Sequence, residues 1–209
     1  MANNCYNLIS FFGNDAVLEQ VKKWRLSLEK LNTAGDDDGS LKAINQIFYP
    51  KIEQKDIDYG SKWIYMDDTP NTPSEYQLGI TSAWSSPDLF LERLASLLYK
   101  YDPNVVVENC INNEDGSLGF RYITPYDESK FYVQRFDGEV DYESYDEPEE
   151  AEEAAEEVYR EFHLEYLTDL MMDRPNTFDV IKTSLPDLAV DWDHIKSEID
   201  KPLDDDLFS

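Results

Sequence analysis

Two stretches of helical periodicity, each set between runs of strand-forming residues, most constrain what this chain can fold into. In the first, Val17, Val21, Trp24, Leu28 and Leu31 recur at helical spacing and predict a helix over 15–32. Asn14 or Asp15 can cap it by accepting a backbone N–H bond. In the second, Leu89, Phe90, Leu94, Leu97, Leu98 and Tyr101 form an apolar stripe over 87–101. Ser85 or Ser86 stands where a cap is needed, with Pro87 in the first turn. Ahead of the first helix, Tyr6, Leu8 and Ser10 alternate with Asn7, Ile9 and Phe11, a buried strand over 5–12 that Gly13 ends. Residues 35–39 read as a loop, followed by a short segment from Leu41 to Phe48 that stops at Pro50. Residues 62–66 and 76–81 read as strands around a turn at 69–73, and Val105 to Ile111, Leu118 to Ile123 and Phe131 to Phe136 as three more. A turn at Asn113-Glu114-Asp115-Gly116 joins the first two of these three.

The resulting order, β-α-β-β-α-β and then a hairpin, predicts an α+β fold over 1–136: a ferredoxin-like split βαβ sandwich with a hairpin extension. Its sheet is expected to be antiparallel-rich, with both helices on one face.

Charge divides the chain near Asp137-Gly138. Residues 1–136 carry 20 acidic and 13 basic side chains, residues 137–209 carry 25 and 5, and the net charge is −27. The second part, 137–209, is read as a highly acidic helical extension with a mobile C-terminal tip. Such a charge excludes a conventional binder of nucleic acid or of an anionic membrane. With 41% hydrophobic and 13% aromatic residues, the chain is not a disordered acidic tail either. No apolar run approaches the ~20 residues of a membrane span. Met1 to Cys5 has neither the basic nor the apolar region of a secretory signal, so a cytoplasmic location is expected. Cys5 and Cys110 form no metal signature and no disulfide framework, and read as buried thiols.

Several short blocks resemble one family. Asn4-Cys5 with Asn7 opens the first strand, and Ile44-Asn45-Gln46-Ile47 leads to Pro50. Tyr59-Gly60-Ser61-Lys62-Trp63 follows, then Thr81-Ser82-Ala83-Trp84-Ser85-Ser86-Pro87 and the late pair Gly119-Phe120. In order and spacing, residues 3–124 resemble the YubB-type ferredoxin-like domain family, largely uncharacterised proteins coded on plasmids and phages. The resemblance implies the fold and a mobile-element origin, and brings no catalytic residue with it.

Physical reasons for the matched residues stand beside it. Trp63 and Trp84 suit packing where a helix meets the sheet; a rival reading makes Lys62, Trp63 and Trp84 a pocket for a small ligand or a catalytic centre. Gly119-Phe120-Arg121-Tyr122 carries the aromatic pattern of RNA-stacking strands, which the negative charge opposes. Phosphate loops, zinc-binding His pairs and nucleophile elbows are absent from the sequence. His163 and His194 have no Cys or Ser partner close by. A non-enzymatic protein without cofactor or metal is expected.

The acidic part carries the functional reading. Eight carboxylates lie within 147–161, opposed by Arg160 alone. Asp146 is placed to cap a helix and Pro148 suits its first turn. Ala151, Ala155, Val158, Phe162, Leu167 and Leu170 give the helix an apolar edge to about Met172. Fifteen helical residues span ~22 Å, one carboxylate per ~3 Å, against one phosphate per ~3.4 Å of a DNA strand. The expectation is a DNA mimic that occupies and inhibits the nucleic-acid site of a basic host protein, such as a defence or genome-maintenance factor. The binding residues would be Asp141, Glu143, Asp146, Glu149, Glu150, Glu153, Glu156 and Glu157. At the C-terminus, Asp204, Asp205, Asp206 and Phe208 resemble the acidic tip of bacterial single-stranded-DNA-binding proteins, with Phe208 as anchor.

Overall fold

The computed structural model describes residues 4–32, 37–66, 76–114, 117–139 and 148–201. Strand β1 (Asn4–Phe12) leads into helices α1 (Asp15–Leu31) and α2 (Asp37–Phe48). Strands β2 (Ile64–Met66) and β3 (Gln77–Ala83) follow, then helix α3 (Asp88–Tyr99). Strands β4 (Val106–Asn113), β5 (Ser117–Pro125) and β6 (Phe131–Glu139) complete the sheet. Helices α4 (Pro148–Asp173), α5 (Phe178–Ser184) and α6 (Trp192–Ile199) come last. The described strands make one antiparallel sheet in the order β2-β3-β1-β4-β5-β6.

Alternation along β1 assigns its two faces. Ile9 and Phe11 enter a core with Val21, Trp24 and Leu28 of α1, Phe48 of α2, and Phe90, Leu91 and Leu94 of α3. So α1 and α3 do pack on the same face, and β1 and β3 do share one sheet. Edge-on ring contacts of 5.1 Å (Trp24–Phe48) and 5.3 Å (Phe48–Phe90) tie the three helices together. Asn14 caps α1, its Oδ1 accepting from the amides of Ala16 and Val17.

Several expectations are corrected here. The loop expected over 35–39 gives way to α2 from Asp37 onward, because acidic residues favour a helical first turn. Neither Ser85 nor Ser86 caps α3. Pro87 takes that position without a side-chain bond, and Ser86 turns inward to Asn109. The strand expected from Lys62 begins at Ile64. The turn at 69–73 and half of that at 113–116 lie outside the described residues. Cys5 is fully buried, and burial pushes its thiol up, but Cys110 is only half-buried.

The other face of the sheet is covered as well. Phe12, Val106, Phe120 and Tyr122 pack against Leu167, Leu170 and Met171 of α4, Phe178 and Ile181 of α5, and Ile195 of α6. The charge boundary at Asp137 falls inside β6. The aromatic strand that resembles an RNA platform is thus closed to bases: Phe120 and Tyr122 are fully buried beneath α4.

Candidate functional site

Helix α4 carries the features that bear on function. Its inward side is apolar: Leu167, Leu170 and Met171 are buried, while Phe162 lies 4.4 Å from the Phe136 ring. Its outward side carries Glu161, Glu165 and Asp169, all exposed, four residues apart. Asp173 continues the row and accepts a hydrogen bond from the Tyr132 hydroxyl. Burial, and then this contact, push the Tyr132 phenol up. The same four-residue spacing extends backwards in the sequence through Glu157, Glu153 and Glu149. Sequence reasoning counted carboxylates per length and so missed Glu165, Asp169 and Asp173. The four-residue step was the signal.

Four of the five cations of this layer are engaged elsewhere. Arg174 is buried over the Tyr126 ring at 3.9 Å and donates to the Pro125 carbonyl. Lys196 pairs with Asp200 at 2.9 Å, Lys201 with Glu198, and Lys182 lies over the Phe178 and Trp192 rings. The fifth, Arg160, is exposed on α4 itself beside Glu161, so the outer row of carboxylates outnumbers the cation close to it.

One buried side-chain contact was not foreseen. Along β4, Val106, Glu108 and Cys110 face α4. The Glu108 carboxylate, 6% exposed, sits 2.7 Å from Nε2 of His163. The imidazole stacks over Phe120 at 5.4 Å. A carboxylate in that position costs several kcal/mol unless paired, so His163 pins α4 to the sheet. The signal was Glu108 closing an apolar run, Val105-Val106-Val107; its partner 55 residues on was not readable. His163→Ala is expected to lower unfolding free energy by about 2–4 kcal/mol. Adding Glu108→Gln to that variant should recover part of the loss, as a denaturant titration would show.

Of the other expected site residues, Glu149, Glu150, Glu153, Glu156 and Glu157 lie on α4, where the backbone is helical. Asp141, Glu143, Asp146, Asp204, Asp205, Asp206 and Phe208 lie outside the described residues. The residues of the rival pocket lie on neighbouring backbone, the Ala83 amide donating to the Trp63 carbonyl at 3.2 Å. Lys62 is exposed, and half-buried Trp63 stacks on Tyr65 at 5.2 Å. Trp84 is 60% exposed, which corrects the expectation that it packs between helix and sheet. Its φ of 69° turns the side chain outward, a backbone region that costs a residue with a Cβ about 1–2 kcal/mol. Gly60 (φ 78°) is needed nearby, because a Cβ there would stand 2.8 Å from the Leu89 amide nitrogen.

Among the described residues no group of three or more His, Cys, Asp or Glu side chains is placed to hold a metal ion, and no helix is long and apolar enough to cross a membrane. Comparison with protein-family models, with curated proteins and with solved structures gives no match.

Proposed function

We propose that this chain is a non-catalytic DNA mimic: an acidic protein that occupies the nucleic-acid-binding surface of a basic protein and blocks it. The carrying observation is the exposed row Glu161, Glu165 and Asp169 on α4, from which four of the five cations of its own layer are engaged elsewhere. Four helical residues advance ~6 Å, so the row steps at nearly every second phosphate of a DNA strand. Over its described members, Glu161 to Asp169, the row covers ~12 Å. Successive members drift by ~40° in a right-handed sense, the hand in which a DNA strand winds. Carboxylates four apart repel by a few tenths of a kcal/mol each, a cost the fold gains nothing from.

The scaffold reading belongs to the same proposal. The first four strands lie in the order β4-β1-β3-β2 with α1 and α3 on one face, which supports a ferredoxin-like split βαβ unit extended by the β5–β6 hairpin. A mobile-element source and a host defence or genome-maintenance target fit such a protein.

The test is mutual exclusion. The chain is immobilised, a basic protein is captured from a cell extract and eluted by salt, and that protein is then purified. Titrated with labelled duplex DNA, it should release the DNA as this chain is added, with an apparent affinity that falls steeply between low and physiological salt. A ternary complex with DNA and this chain bound together would sink the proposal.

A further inference from the structure

Trp84 is the residue whose placement the fold does not explain. Its backbone is left-handed, φ 69°, and its ring, 60% exposed, gains little from burial. Glycine or asparagine would adopt that backbone more readily and take nothing from either core. Yet the turn is held on both sides. Ser61 Oγ donates to the Ala83 carbonyl at 2.8 Å, and the Ala83 amide donates back to Ser61 Oγ at 3.1 Å. Past the tryptophan, Ser82 Oγ donates to the Ser85 carbonyl at 2.8 Å, and Asn109 Nδ2 donates to Ser86 Oγ at 3.0 Å. Asn109 Nδ2 also reaches Asn7 Oδ1 at 2.9 Å, and Asn7 Nδ2 reaches Ser82 Oγ at 2.9 Å. Asn7, Ser82, Ser86 and Asn109 are all more than nine-tenths buried. Buried amides and hydroxyls are costly to desolvate, and where paired they fix what they touch; of this set Asn109 Oδ1 alone is left without a partner. Here they fix the backbone on either side of an exposed indole.

We infer that Trp84 is the anchor of a protein-docking surface, an indole held ready to enter an apolar pocket on a basic partner protein. A backbone held before binding leaves less entropy to lose, and buried tryptophans are prominent among the residues that dominate interface energies. The partner's sign follows from complementarity with a chain of net charge −27, and for this the inference rests on the reading above. That charge repels nucleic acid and anionic membrane alike. Position agrees. Asn4 pairs with Ala83 and Cys5 with Asn113, so the Trp84 turn lies at the sheet end where β6 finishes. Helix α4 runs antiparallel to β6, Phe162 at Phe136 and Asp173 at Tyr132, so residues 148–159 continue towards that same end. Anchor and acidic helix thus address one side of the molecule.

The test compares the full chain with Trp84→Gly, Trp84→Phe and the charge variant Glu153→Gln, Glu157→Gln, Glu161→Gln, Glu165→Gln, Asp169→Asn. The probe is the protein captured by the parent chain, purified and titrated calorimetrically against each. Trp84→Gly should melt at or above the parent's temperature, because strain is relieved. It should weaken binding roughly tenfold or more, through faster dissociation, and Trp84→Phe should recover most of the loss. A lower melting temperature for Trp84→Gly makes the indole structural and overturns the anchor, as does unchanged binding. If Trp84→Gly loses the partner while the charge variant keeps it, the anchor stands and the mimic falls. The reverse result removes the anchor and leaves the mimic. A parent chain that captures nothing overturns both.

Discussion

A chain ending at Glu139 should fail to fold cooperatively. Such a truncation removes α4, α5 and α6, and with them Leu167, Leu170, Met171, Phe178, Ile181 and Ile195, which cover Phe12, Val106, Phe120 and Tyr122 on one face of the sheet. Phe120, Tyr122 and Val106, fully buried in the intact protein, would meet water, each forfeiting about 1.5–3 kcal/mol of burial. Glu108 would lose His163 at the same time. Losses of this size match the whole net stability of an ordinary domain, about 5–15 kcal/mol. The expected result is an aggregation-prone chain that binds a hydrophobic dye and shows no sharp thermal transition. A soluble 1–139 fragment with a cooperative melt would show instead that the sheet and α1–α3 suffice. A milder form, Leu170→Ala, should cost about 2–5 kcal/mol.

The charge variant of α4 is expected to lose at least roughly 10-fold, and up to 1,000-fold, of its association rate for the partner at low salt. Dissociation should change less, since exposed carboxylates steer encounter more than they hold the complex. Raising the salt should erase most of the difference between parent and variant. Stability should rise slightly, because six like-charge pairs at four-residue spacing are relieved by a few tenths of a kcal/mol each. Stopped-flow association at two ionic strengths reads the first effect and thermal melting the second. Equal association rates at low salt would leave the acidic row as a solubilising face only.

What could be read in advance follows from the range of the interactions. Strands β1 and β3 and helices α1 and α3 are local patterns: alternation, a stripe, a capping Asn14. Helix α2 began earlier than expected because Asp37, Asp38 and Gly39 carry the composition of a loop, while the same acidic residues favour a helical first turn once Ile44 and Phe48 are packed in the core. The closure of the second sheet face was masked by charge. Excess carboxylate drew the eye from Phe178, Ile181 and Ile195, whose side chains do the covering. Two site features depend on partners that no local signature names. The Glu108–His163 contact depends on how α4 is rotated against β4. The outward turn of Trp84 depends on side chains from β1, β3 and β4, which no window of sequence brings together.

The position of β1 sets the order of assembly on the ribosome. Of the sheet's strands the earliest in sequence is an interior one, paired with β3 and with β4, whose matching residues lie about seventy to a hundred positions further along. Its hydrogen bonds to β3 wait until Ala83 has been made and those to β4 until Asn113, and contacts of such sequence separation close slowly. The helices that shield Phe120 and Tyr122 come later still. At a synthesis rate of about 5–20 residues per second, the nascent chain presents an open apolar face for several seconds before its acidic segment arrives. Chaperone demand should therefore peak late in translation, and slowing elongation after codon 139 should raise the aggregated fraction.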